Sequence, residues 1–283
     1  MAFVYNNIWM VLIIFGLLLK IRRSEVLFSL NEIRNYQLRA QDGDLGEINS
    51  FLIDDFNWVV RYVVVNVDRR NILLSVFALS SPEPAGRIIP TSLTRDKILN
   101  SPEIDLNQPL SREIERQLSD YYSWPYYWDP GDIPTTQPGD LSAVPLIEME
   151  LDKEAKEDQT LDSVESNSTD ASGKSEYHLH STKVLFGETI HATNDDKNAG
   201  KLADMIAQDK DWNILYLVVE TGGLLGGAKV LVSPNWVKTI DDLDKRIDVE
   251  LTSGTIQNSP GFNTIEDITE EYQAGLNNYY SQK

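Results

Sequence analysis

The sequence predicts a mainly β chain: two small antiparallel β-barrels, each ending in short C-terminal helices, with an apolar helix ahead of the first. Three observations carry this expectation. Eleven of the 31 positions from 93 to 123 recur 158 residues later, where ordinary residue frequencies would give about 2. Upstream, Gly46, Trp58, Tyr62, Val64 and Val65 recur at an offset of 154 as Gly200, Trp212, Tyr216, Val218 and Val219. The recurring stretches are β-branched and aromatic and lie at hairpin spacing, which favours short barrel strands over helices. Recurrence at a fixed offset marks a duplicated module. The change of offset puts four extra residues between the central strand and the Leu251-Thr252 pair of the second copy.

The elements follow in chain order. Ala2 to Leu19 is interrupted only by Asn6 and Asn7 and is followed by Lys20, Arg22 and Arg23. Eighteen helical residues span about 27 Å, close to a bilayer core of about 30 Å. Residues 1–23 are therefore expected to be a membrane anchor, with the basic flank holding the rest of the chain at the cytoplasmic face of an inner membrane. The alternative is a soluble cytoplasmic protein in which this run is a buried arm or an extended reading frame.

The first copy is assigned to 27–128. Asp42-Gly43 supplies a tight turn, leading into a strand at about 45–53. The continuous apolar run WVVRYVVVNV at 58–67 suits a strand covered on both sides. Thr94 caps a helical turn that must stop at Asn100-Ser101, because Pro102 forbids helical geometry just before it. Ser111 starts a last helix that ends at Tyr121-Tyr122. Residues 129–176 carry prolines at 130, 134, 138 and 145 and 13 acidic against 3 basic residues, more than half of the net charge of −19. Such a segment is expected to be a disordered linker; a coil of this length spans roughly 35 to 40 Å and leaves the copies free to stand apart. The second copy, 177–283, repeats the pattern with WNILYLVVET at 212–221, a Gly-rich turn, a candidate strand from Arg246 to Leu251 and a helix from Thr269.

LRAQDGDLGEINSFLIDDFNWVVRYVVV, LTRDKILNSPEID, DYYSWPYYW and, in the second half, LYLVVETGGLLGGAKVLVSPNWV together resemble the stand-alone bacterial PRC-barrel proteins, many of which carry two copies. The resemblance covers about 27–128 and 177–263. It implies a small β-barrel of the kind found in the cytoplasmic part of the photosynthetic reaction-centre H subunit, and it brings no catalytic residues. Two stretches depart from the pattern. NVDRRNILLSVFALSSPEP replaces the Gly-rich turn in the first copy, and ATNDDKNAGKLADM expands the hairpin in the second. Each copy is therefore expected to need a partner, or the other copy, to cover an exposed edge.

The acidic balance, 44 against 25 with no basic stripe, argues against nucleic acid. The chain has no cysteine, which excludes thiolate sites and disulfides. His178 and His180 form an H-x-H pair but lack further ligands for a metal, so they and His191 are expected to be surface residues. Asp42, Asp44, Asp54 and Asp55 suit strand ends and turns better than a catalytic pair. No catalytic, metal or cofactor site is assigned. The run YYSWPYYW is the best recognition candidate. Tyr121 and Tyr122 recur in the second copy and are expected to pack internally, whereas Trp124, Tyr126, Tyr127 and Trp128 do not recur: they either pack within the molecule, bridging the two barrels, or anchor a partner, and they are the residues assigned to partner contact. These expectations converge on a non-catalytic adaptor or assembly factor, with an unidentified protein partner that could be an integral membrane complex, and with self-association possible at open edges. A component like the reaction-centre H subunit is the alternative, and an enzyme the rival from another class.

Overall fold

The computed structural model describes residues 26–106, 110–128, 179–222 and 227–282. The expected anchor at 1–23, the linker at 129–176 and His178 lie outside them. No helix among the described residues is long and apolar enough to cross a membrane.

Each copy forms one sheet, and together they make a mainly β fold. In the first, β2 (Gln37–Ala40), β3 (Gly43–Asp54), β4 (Val59–Val67), β5 (Arg70–Ser75) and β6 (Ile88–Pro90) stand in the order β5-β4-β3-β2-β6. In the second, β8 (Thr189–Ala192), β9 (Lys197–Gln208), β10 (Ile214–Glu220), β11 (Lys229–Val232), β12 (Val237–Asp241) and β13 (Arg246–Val249) stand in the order β11-β10-β9-β8-β13-β12. Neither set of pairings closes on itself among the described residues, so the observed sheets are open where closed barrels were expected. Nor are they wholly antiparallel: β6 pairs parallel to β2, and β13 parallel to β8. The reason is the route of the chain. β3 takes one edge of β2, and the chain returns to the end where β2 begins, with Gln37 N–H donating to the Arg87 carbonyl at 2.9 Å.

The duplication holds residue by residue. Val65 faces Ile72 in the first copy and Val219 faces Val230 in the second, so the offset changes from 154 to 158 within the turn that precedes β5 and β11. Gly46 and Gly200 recur because a Cβ at either would lie 2.4 Å from the carbonyl oxygen of Asn66 or Glu220; only a residue without one lets the strands approach so closely. Helices α2 (Arg95–Leu99) and α3 (Arg112–Tyr122) close the first copy. Thr94 and Ser111 cap them, accepting from the N–H groups of Lys97 and Ile114. The Asn-Ser-Pro repeat ends a helix in both copies: the Asn100 and Asn258 amides donate to the carbonyls of Asp96 and Gly254, and Ser101 and Ser259 are buried behind them.

What the sequence did not suggest is how the copies meet. β1 (Leu27–Ser29), from the start of the first copy, pairs antiparallel with β9 of the second, Leu27 opposite Gln208 and Ser29 opposite Ile206. β7 (Leu179–Ser181), from the start of the second, pairs with β3 of the first, Leu179 opposite Asp54 and Ser181 opposite Leu52. At offsets of 152 and 154 these registers are the same. The strands are exchanged reciprocally, and one apolar core runs through both copies. The copies do not stand apart: the leading strand of each is laddered onto the sheet of the other.

Candidate functional site

The aromatic run is not turned outward. Trp124 is buried and stacked on Tyr122 with ring centroids 4.1 Å apart. Tyr126, Tyr127 and Trp128 are half-buried against α3. Their anchor is Glu115, which is buried on α3. Its Oε2 accepts from the hydroxyls of Tyr62 at 3.0 Å and Tyr127 at 2.8 Å, and its Oε1 from Arg112 at 2.9 Å. Burial raises the Glu115 pKa, and these three donors offset only part of the rise. Arg61 lies 4.1 Å over the Tyr127 ring and donates twice to Asp54, while Arg112 lies 4.8 Å over Trp128. Burial works against the Asp54 carboxylate, but Asn57 and Arg61 hold it below the usual range. All four residues make contacts within their own copy, as the packing alternative expects, and Tyr126, Tyr127 and Trp128 keep part of their surface exposed. The second copy has Gln273 in place of Glu115, at 3.5 Å from the Tyr216 hydroxyl.

Asp42 and Asp44, also named from sequence, behave as turn groups. Asp42 accepts from the Arg95 N–H at 2.7 Å, fastening the hairpin to the start of α2. Asp195 does the same for Ser253 at the start of α5 (Ser253–Gln257). Asp44 pairs with Arg39.

The more informative places are the two seams made by the exchanged strands. At both, a tryptophan in left-handed geometry, Trp58 with φ 53° and Trp212 with φ 59°, offers its carbonyl across the boundary. Ile214 N–H donates to Trp58 O at 2.7 Å, and Val60 N–H donates to Trp212 O at 3.0 Å. A bulky residue held in this region is backbone strain that the surroundings must enforce.

At the first seam Phe28 packs edge-on against Trp212, which is fully buried and also meets Phe51. Helix α1 (Leu30–Ile33) buries Leu30 and Ile33. Ser29, its cap, donates to the Asp204 carboxylate, which also accepts from the Asn31 N–H at 2.9 Å.

At the second seam His180 takes the place of Phe28. Its Nε2 is 3.3 Å from Asp55 of the first copy and its Nδ1 is 3.4 Å from Asp242 of the second. Burial lowers the His180 pKa, but the two carboxylates outweigh it, and the net shift is upward. Glu188, 5% exposed, stands where the first copy has Tyr36, and neither of its oxygens has a hydrogen-bond partner. Burial raises its pKa and Asp242 adds to the rise, against His180 and Lys245. The histidines expected at the surface are therefore built in: His191 likewise stands between Asp248 at 2.9 Å and Asp196 at 3.0 Å. His180 meets its carboxylates through opposite ring nitrogens, so the three cannot converge on one ion. Among the described residues no group of three such side chains could hold a metal.

Beside His180 opens a cleft of about 480 Å³, lined by Leu52, Val64, Leu106, Leu110, Val184 and Leu185, with Asn49, Asn71, Lys183 and Asp242 as polar groups. Val184 on α4 (Thr182–Leu185), which lines the cleft, is 57% exposed, and two more exposed apolar side chains follow the His180 carboxylates in sequence: Phe56 after Asp55 at 77% and Leu243 after Asp242 at 95%. An apolar floor with a few polar groups at its rim suits an apolar side chain or short segment of another protein. Sequence reasoning missed this seam. The usable signal was a third offset, 152, at which Leu27, Ser29 and Ala40 recur as Leu179, Ser181 and Ala192.

No protein-family model matches the chain, and no curated protein matches it.

Proposed function

We propose that the chain is a non-catalytic, protein-binding adaptor made of two PRC-type modules fused into one body, held at the inner face of a membrane through residues 1–23. Its partner docks at the His180 seam. The observation that carries this reading is the apolar cleft at the seam, lined from both copies and by exposed Val184, with exposed Phe56 and Leu243 next in sequence to the carboxylates that hold His180. Large exposed apolar groups gathered at one place mark interaction surfaces. The strand exchange adds the stiffness a docking surface needs, because both rims of the cleft belong to one core. The order of elements in each copy, a small sheet followed by two helices, supports the PRC-type reading, while the open, partly parallel sheets depart from the closed barrel it implies.

The test is affinity capture from native membranes with the full chain, comparing wild type with the Phe56→Ser/Leu243→Ser double variant. A protein retained by the wild type and lost with the double variant, at unchanged melting temperature, supports the seam as the docking face. Equal retention by both overturns it. Recovery of the untagged chain in the soluble fraction alone would remove the membrane part of the reading.

A further inference from the structure

The two seams share one backbone plan, and this has a consequence for association. Each copy offers the same three things to the other: a leading strand (β1 or β7), the far end of its longest strand (β3 or β9), and a tryptophan carbonyl beside the N–H that begins β4 or β10. A surface that meets its own equivalent through a two-fold relation is isologous, the type two identical subunits use to form a closed dimer. Asp209 completes the plan. It accepts from Val26 N–H at 2.9 Å and from the Ser81 hydroxyl at 2.6 Å, both across the boundary, where its counterpart Asp55 meets His180. Every one of these contacts lies within residues 26–81 and 179–242.

We propose that this surface is a self-complementary pairing interface that works in trans: a single copy with its leading strand is a complete binding partner for another copy carried on a separate chain. Covalent connection raises the effective concentration of one copy at the other, typically to the millimolar range. It adds no contact to those named above. Each sheet alone leaves one edge open: the last residues of β3 and β9 pair on one side with β4 and β10 of their own copy, but on the other side they lie beyond the reach of β2 and β8 and are laddered by β7 and β1.

The experiment uses the full chain with a specific protease site placed between residues 150 and 160. The protein is folded, cut, diluted to about 1 μM and analysed by size-exclusion chromatography with light scattering. The expected result is one particle containing both fragments at the position of the uncut chain. Tagged and untagged cut samples, mixed and incubated, are expected to yield mixed pairs. Fragments that separate into folded monomers would overturn the proposal, and so would pairs that never exchange.

Phe28→Asp assigns the interface. Uncut, the variant is expected to stay folded; cut, its fragments are expected to pair at least about 100-fold more weakly, a loss of about 2.7 kcal/mol. Should it not fold uncut, Asp209→Ala replaces it. Pairing of the cut variant as tight as that of the wild type would refute the assigned surface. Because the readout is pairing of the two copies and not capture of another protein, its failure is distinguishable from failure of the adaptor reading.

Discussion

Phe28 and His180 occupy the same backbone position in the two exchanged strands, yet one packs against a buried tryptophan and the other stands between two carboxylates. The substitution repeats nearby. Tyr36, with Arg87 4.9 Å over its ring, becomes Glu188 facing Lys245. In the helical ends the change runs the other way: the charged Glu115 cluster of the first copy becomes the neutral Tyr216–Gln273 pair of the second. Duplication kept the backbone hydrogen bonds, which depend on register alone, and released the side chains to diverge. One seam and one helical end became ionic, in different copies.

The largest expected difference is between the two tryptophans. Trp212→Ala removes a fully buried ring and should lower unfolding free energy by about 3 to 5 kcal/mol, against about 1 to 2 for half-buried Trp58→Ala, measured by urea denaturation. Equal losses would show that the seams are energetically alike. Glu115→Ala removes the acceptor of the Tyr62 and Tyr127 hydroxyls and one of the partners of Arg112, and should cost about 2 to 4 kcal/mol. Gln273→Ala, losing one long bond, should cost less than about 1 kcal/mol.

The paired glycines sharpen the comparison from its conserved side. Gly46→Ala and Gly200→Ala each push a methyl into a carbonyl and should both destabilise by about 1 to 3 kcal/mol. A marked inequality would mean that the strand crossings differ more than their registers do.

The smallest effect is that of pH. The folded pKa of His180 lies above its unfolded value, so its contribution is fully present below the unfolded pKa, near 6.5, and is lost as pH rises through the folded one. Raised Glu188 acts in the same direction at lower pH, since its carboxyl is favoured in the neutral form. Amide exchange at Ser181 should therefore quicken between pH 6 and 8 beyond its intrinsic increase, while exchange at Ser29 does not. His180→Phe should abolish the difference, and an unchanged difference would remove His180 from the account.

The duplication, the caps at Thr94, Ser111 and Thr269, and the stop at Asn-Ser-Pro were legible because each is a local signal with its own chemistry. The exchange was not. LFS and LHS are too short to show a period, and the strand ends they join carry the same pattern in both copies, so nothing local decides between own and other. Which of its two readings the aromatic run would follow was not legible for a related reason: Arg61, Tyr62 and Glu115, which its members meet, come from another strand and from α3. The parallel pairs and the open sheets depend on where the chain returns after β5, which periodicity does not encode. The His180 seam needed two carboxylates from opposite ends of the sequence.

The exchanged strands also set a timetable for synthesis. β3 cannot receive β7 until residue 181 has left the ribosome, 53 residues after the first copy ends at 128, a wait of roughly 3 to 10 s at common elongation rates. During that interval the nascent first copy exposes one edge of the last residues of β3, Leu52 to Asp54, paired with β4 on the other side but open here to any passing strand.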